Sequence, residues 1–139
     1  MTTTVRRLAP GDEDVVAALA DRAPQTALLA DDSTIFLVAF EASEPIGFVL
    51  AYELQRRHGD AAMLLVYEVD VHEAYRHRGV ATGLLAELAR IARERGIADG
   101  FVLTDFDNDA ANALYAAAGG VRRDVVEWDF TWGRIVAPS

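Results

Sequence analysis

The stretch that decides the fold runs from Met63 to Thr82 and centres on Tyr67-Glu68-Val69-Asp70-Val71-His72-Glu73-Ala74-Tyr75-Arg76-His77-Arg78-Gly79-Val80-Ala81-Thr82. From Met63 to Val71 it is a nearly continuous apolar run interrupted by Glu68 and Asp70, the pattern of a central strand covered on both faces. From Gly79 to Arg95 the period changes. Leu84, Leu85, Leu88, Ile91 and Ala92 share one helical face, with Glu87, Arg90, Arg93 and Glu94 opposite, and Gly96 stands at the C-cap. In the turn between them, small residues let backbone N–H groups point at a ligand, and the helix N-terminus adds positive potential. The turn therefore reads as an anion cradle. It lacks the Lys-Ser/Thr ending of a P-loop and the three-glycine fingerprint of a dinucleotide turn, which leaves a pyrophosphate with few metal requirements as its natural occupant. A plain polar turn would carry a capping residue such as Ser or Asp, and none is placed there.

Upstream, Val5 to Leu8 predicts a short strand, and Pro10-Gly11-Asp12 opens an amphipathic helix through Val15, Val16 and Leu19 that stops near Pro24. Arg22 to Thr34 could hold a short second helix but reads more as a mobile segment, a candidate loop facing the substrate. Thr34 to Glu41 and Ile46 to Tyr52 form an antiparallel hairpin about Ser43-Glu44-Pro45, followed by a polar turn from Gln55 to Asp60. Downstream, Phe101 to Thr104 is a strand, and Asp109 to Ala118 is a helix closed by Gly119-Gly120. Val125 to Trp132 is a final strand, with Trp128 and Trp132 on one face as sheet-packing residues. The order implies an α/β chain with a mixed sheet and helices on its faces. The unit from Met63 to Thr104 should be parallel and right-handed.

A chain of 139 residues, 52% hydrophobic, has room for one core, and a single domain over 1–139 is expected. The net charge of -9 opposes nucleic-acid binding as the main activity; it suits a cationic partner, or a surface that is acidic for solubility. The absence of cysteine excludes disulfides, thiolate nucleophiles and Cys-based zinc sites. His58, His72 and His77 do not show HExxH spacing, so no metal is expected. The N-terminal arginines are followed by no apolar core, and no apolar run approaches the ~20 residues of a membrane span. A soluble, cytoplasmic protein that binds no membrane is the expectation.

Arg76-x-x-Gly79-x-Ala81 after a central strand resembles the acetyl-CoA motif of the GNAT superfamily of N-acetyltransferases. A second element, Asn108-Asp109-Ala110-Ala111-Asn112-Ala113-Leu114-Tyr115 followed by Gly119, is similar to that superfamily's Asn-x-x-Ala-x-x-Leu-Tyr helix and comes one strand later. Within the superfamily, Tyr67 to Arg76, Val102-Leu103-Thr104-Asp105-Phe106-Asp107-Asn108 and Trp128-Asp129-Phe130 resemble the aminoglycoside 3-N-acetyltransferases. The resemblance implies a central mixed sheet with about four helices, acetyl-CoA as cofactor and an aminoglycoside amine as acceptor, with resistance as the consequence. It implies that backbone amides of Arg78, Gly79, Ala81 and Thr82, in the turn that also holds Val80, bind the pyrophosphate. Arg76 and His77 reach phosphates, Val69 and Val71 offer main-chain groups to the pantetheine arm, and Asn108 and Tyr115 complete the cofactor site. Two departures stand out: Ala81 at the cradle's usual last glycine, and Gly120 where a Phe is frequent. The tail after Gly120 leaves room for one long strand, so a partner subunit is expected to complete the sheet's edge in a homodimer.

Acetyl transfer needs a neutral amine, a polarised carbonyl and a proton for the departing thiolate. The resemblance implies a backbone N–H near Val69 or Asp70 for the carbonyl and Tyr115 for the thiolate; the competing reading of Tyr115 is a packed tyrosine whose hydroxyl is structural. Asp105 is the first candidate for the base and Glu68 the second, either directly or through water. Desolvation beside Tyr67 and Phe106 would raise their pKa values. Glu68 could instead simply pair with an arginine. Asp31, Asp32, Asp107, Glu127 and Asp129 are candidates for a negative wall receiving several ammonium groups, against the plainer reading of each as a solvated carboxylate. The remaining alternatives are a different small amine, a polyamine or a peptide α-amine as acceptor, or an acyl-CoA sensor without turnover.

Overall fold

A strand that is apolar at almost every position must be covered on both faces, and Thr34–Glu41 (β2) is that strand, with all eight residues buried. The computed structural model describes residues 3–59 and 62–133. Around β2 stand β1 (Thr3–Arg7), β3 (Glu44–Leu54), β4 (Met63–Val71) and β5 (Gly100–Val102), in the order β1-β2-β3-β4-β5. The first three pairings are antiparallel and β4–β5 is parallel, so the sheet is mixed as expected.

Alternation along β2 divides the core in two. Ile35, Leu37 and Ala39 meet Val49, Ala51 and Leu64, and together they receive Val80, Leu84, Leu88 and Ile91 from helix α2 (Val80–Glu94). Phe36, Val38 and Phe40 point to the other face, where Val16 of helix α1 (Glu13–Leu19) and Leu29 of a 3-10 turn (Ala27–Ala30) cover them. Burying such side chains contributes roughly 1.5–3 kcal/mol each, so α2 is held mainly by its apolar stripe. Helix α3 (Asp109–Ala117) buries no residue fully. Both α2 and α3 end in a left-handed glycine, with Gly96 N donating to Arg93 O and Gly119 N to Ala116 O, while Ile97 N and Gly120 N reach back to Ala92 O and Tyr115 O.

Several expectations need correction. Two single 3-10 turns and three α-helices stand among the described residues, where about four helices were expected. Helix α1 stops at Leu19, well before Pro24. The hairpin turns at Ala42-Ser43, both with positive φ (48° and 70°), a twist that matches the flanking strands. Pro45 instead lies within β3 beside a register shift, where a missing ladder donor costs little. The polar turn from Gln55 runs to Asp60, which lies outside the described residues. The strand covered on both faces is β2; the second half of β4 is open, with Tyr67 60% exposed. Val125 to Trp132 forms no strand: beyond Gly120 no residue up to 133 makes a backbone hydrogen bond to another described residue. Trp128 and Trp132 are exposed and do not pack in a sheet. No described helix is long and apolar enough to cross a membrane.

β5 approaches β4 closely at one point, where a Cβ on Gly100 would lie 2.7 Å from the Leu64 carbonyl oxygen. Gly100→Ala must part the two strands, and a loss of about 1–3 kcal/mol in urea unfolding is the expected outcome. A midpoint equal to wild type would refute this close approach.

Candidate functional site

β4 carries both halves of the site. Leu50 of β3 opposes Glu68, but Ala51 opposes Val66, so Tyr67 is an extra residue bulged out of the ladder. The extra residue inverts the strand's parity: Val66 and then Val69 pack with the α2 core, and Glu68 falls opposite Leu50 in the α1 core. Glu68 therefore lines a groove of about 250 Å³ rather than meeting the α2 core. Phe36, Phe48 and Leu50 form its floor, and α1 with the segment Asp21 to Gln25 forms its wall. Among the described residues no cation lies within ion-pair distance of Glu68, whereas Asp70 has Arg76 at 3.6 Å.

The ladder between β4 and β5 stops at Val66 and Val102. From Tyr67 onward β4 has a strand partner on the β3 side only. Val71 is already engaged at both polar groups: its N–H donates to Asp70 Oδ1 (2.9 Å) and its carbonyl accepts from Arg76 Nε (3.0 Å). Val69 carries no such side-chain bond.

Beyond β4, His72 caps a 3-10 turn (Glu73–Tyr75), its Nδ1 accepting from Ala74 N. His77 and Gly79 then adopt positive φ (63° and 78°), the kind of turn that gathers N–H groups into an anion-binding concavity. Gly79 N-caps the fifteen-residue α2 without a side-chain bond, and the helix's first described bond there is Gly83 N to Gly79 O (3.0 Å). The amides of Val80, Ala81 and Thr82 thus have no intrahelical acceptor. A Cβ on Gly79 would meet nothing within 4 Å, so the ground before the helix is open. Arg78 lies over the Tyr75 ring at 5.6 Å, and the exposed Arg76 is anchored to Val71. Uncapped amides, an open approach and two guanidinium groups fit a diphosphate.

The second element is built differently. Asn108 caps α3, its Oδ1 accepting from Ala111 N (3.1 Å), which is a structural task. Asn112, part of the quoted helix element, was given no role in the sequence. Its Nδ2 donates to the carbonyls of Asp105, Phe106 and Asn108 (3.4, 3.3 and 2.9 Å), which fixes the loop that presents Asp105. The signal was the second Asn four residues after the first, a spacing that places both on one helical face. Tyr115 is half-buried, and burial raises its pKa, so the hydroxyl keeps its proton at neutral pH.

The carboxylates divide into two groups. Asp32 pairs with Arg95 (3.2 Å) and Arg7 (3.6 Å), and Asp31 accepts from Ser33 N and Oγ (2.9 and 2.7 Å). Both precede β2 and are engaged in holding that corner. Glu127, Asp129 and Asp105 come together: hydrogen bonding with Asp129, its negative charge and then that of Asp105 raise the pKa of Glu127. Asp107 is exposed on the adjacent turn. The apolar enclosure expected around Glu68 and Asp105 is not formed, since Tyr67 and Phe106 are 60% and 75% exposed and both carboxylates face solvent.

The uncapped amides at the start of α2 and the groove that Glu68 lines are joined by one strand. The model of the Acetyltransferase (GNAT) family matches residues 5–119, and the chain belongs to that family, which uses acetyl-CoA. It is 35% identical over 96 residues, 68% of its length, to an L-2,4-diaminobutyric acid acetyltransferase of Streptomyces coelicolor, and spans about half (55%) of that curated relative. Among solved structures, an aminoglycoside acetyltransferase from an uncultured soil metagenomic sample superposes with a TM-score of 0.86 at 29% identity, over 96% of this chain and 100% of that one. A second such enzyme from a soil metagenome, in complex with sisomicin, shares the fold at a TM-score of 0.87 and 17% identity, over 94% of this chain and 97% of that one.

A carboxyl with a raised pKa binds its proton more tightly in the folded state than in the unfolded state. Glu127 therefore favours folding below the ordinary glutamate range, and this contribution is lost as pH rises through its folded pKa. Carbon-13 NMR should place its midpoint above about 4.3, with Asp129→Asn lowering it; an ordinary midpoint in both proteins would separate the two residues.

Proposed function

We propose that the protein acetylates an amine of an aminoglycoside, the 3-amino group by the resemblance of its local sequence, and so confers resistance. One observation carries the reading: β4 lines a groove with Glu68, and a single 3-10 turn leads from its end to the turn at Arg76 to Thr82. A groove of about 250 Å³ is smaller than the roughly 300–1,000 Å³ typical of drug-sized ligands. It would take one amino-bearing ring, with further ammonium groups meeting Asp105, Asp107, Glu127 and Asp129. Asp31 and Asp32, bound at their own corner, have no part in this wall.

Amides at the start of α2, together with Arg76, Arg78 and His77, would hold the diphosphate of acetyl-CoA, which supplies an activated thioester when bound. The outward groups of Val69 are available to an extended arm. An N–H at Val69 or Asp70 would donate to the carbonyl oxygen. Glu68 stands ahead of Asp105 as the base because it lines the groove, and it would take a proton from the ammonium directly or through water. Tyr115, protonated at neutral pH, holds a proton at its hydroxyl for the departing sulfur.

The Streptomyces relative favours a second reading, in which a small diamino acid fills the groove. Release of CoA thiol, measured with gentamicin-type aminoglycosides, 2,4-diaminobutyrate, spermidine and a peptide pool, separates the two. Turnover with aminoglycosides, and protection of a sensitive host, is the expected result. Turnover with diaminobutyrate alone would replace the acceptor, and CoA binding without any turnover would make the protein a sensor.

Glu68→Gln and Tyr115→Phe should each lower kcat by ~10²-fold or more with CoA affinity retained. Gly79→Glu should abolish CoA binding in calorimetry, by charge repulsion and by strain at positive φ. Wild-type affinity in that variant would overturn the cradle.

A further inference from the structure

The extra residue in β4 also changes which side chains stand beside the groove. Tyr67 and Glu68 are consecutive, and regular alternation would send them to opposite faces of the sheet. Instead the Tyr67 ring meets that of Tyr52 edge-on, with centroids 5.7 Å apart and planes at 68°. Tyr52 packs against the cluster of Phe36, Val38 and Leu50, so Tyr67 shares the α1 face with Glu68. Burial raises the pKa of Tyr52, and the Tyr67 phenol and the Glu68 carboxylate close by raise it further. Tyr67 itself is 60% exposed, and the groove's lining ends at Glu68 without it. It is the first β4 residue past the last pair with β5, Val66 with Val102, and Leu103, 51% exposed, is its counterpart on the β5 side. The exposed ring stands where the two strands part, beside the groove but not in it.

We propose that Tyr67 is a specificity-determining residue, a platform for the second amino-bearing ring of an acceptor whose first ring fills the groove, and that Tyr52 is the positioning residue that sets the platform's tilt. The proposal rests on the aminoglycoside reading and extends it. A groove of about 250 Å³ takes a single ring, so an acceptor of two or three rings must continue past its end, where Glu68 and then Tyr67 stand. An ammonium over a tyrosine face is attracted by the ring's quadrupole, and the flat ring shields the apolar C–H groups of a sugar from water. The edge contact with Tyr52 holds the ring in place before binding, so less rotamer freedom is lost when the acceptor arrives. The neighbouring carboxylate of Glu68 keeps the local field negative, which favours cationic rings over neutral ones.

Steady-state kinetics with neamine (two rings) and gentamicin (three rings), together with the inhibition constant of the single ring 2-deoxystreptamine, tests this. Tyr67→Ala should raise KM for neamine and gentamicin about 3-fold or more. Its kcat, its CoA affinity in calorimetry and the inhibition constant of the single ring should stay at wild-type values. Tyr67→Phe keeps the ring and should keep the wild-type KM. Tyr52→Ala should reproduce part of the rise, Tyr52→Phe should restore it, and Tyr52→Ala should add nothing once Tyr67 is alanine. Unchanged KM for both acceptors in Tyr67→Ala, or an equal rise for the single ring, overturns the platform, and an additive effect of Tyr52→Ala overturns its positioning role. A wild-type protein that turns over no aminoglycoside overturns the acceptor reading and the platform with it, whereas aminoglycoside turnover that ignores Tyr67→Ala overturns the platform alone.

Discussion

The site depends on a single divergence, the point where β4 stops pairing with β5 at Val66 and gains an extra residue at Tyr67. A parallel pair continuing to Val71 would satisfy the outer backbone groups of β4 and leave nothing for a ligand to join. Without the bulge, period-2 alternation would turn Glu68 toward the α2 core, where an unpaired carboxylate is costly. One inserted residue thus opens the strand's edge and puts its carboxylate into a groove. The close contact at Gly100 holds the other end of the wedge shut.

The start of α2 is held at this opening by packing. A Cβ on Gly47 would meet Asp70 O at 3.1 Å and the side chains of Val71 and Val80 at 3.3 Å. Its absence lets the first turn of α2 rest directly on the β3–β4 pair. The four apolar residues buried along α2 then fix the direction of its axis, and with it the direction of the unsatisfied amides. At the helix's far end Arg95 binds Glu53 (2.8 Å) and Asp32 (3.2 Å). The pair with the exposed Asp32 contributes less than about 1 kcal/mol, so it steadies the corner while the apolar stripe decides the placement.

What was legible in the sequence follows from how local each signal is. Met63–Val71 and α2 were readable because apolar periodicity and a left-handed glycine act within a few residues of chain. The turn into α2 was readable because Gly79, lacking a side chain and set at positive φ, leaves its mark in the sequence itself. The bulge at Tyr67 was not, since register is a relation between two strands and no residue in β4 alone announces it. The partners of Asp32 were hidden for the same reason: Arg7 and Arg95, which engage it, lie 25 and 63 residues away in the chain. Asn112 was written plainly but answers to carbonyls whose positions only the folded loop defines.

The tail shows the converse case, a strong local signal with no local partner. Alternation from Val125 to Trp132 predicts a strand, and the prediction fails within one chain because a strand is a pairing and the alternation specifies only one side of it. The mismatch carries information, since a row of four large apolar side chains left in water opposes the trend that buries such groups in the two cores of this molecule. Either the row is a cost without compensation, or its complement lies outside the described residues.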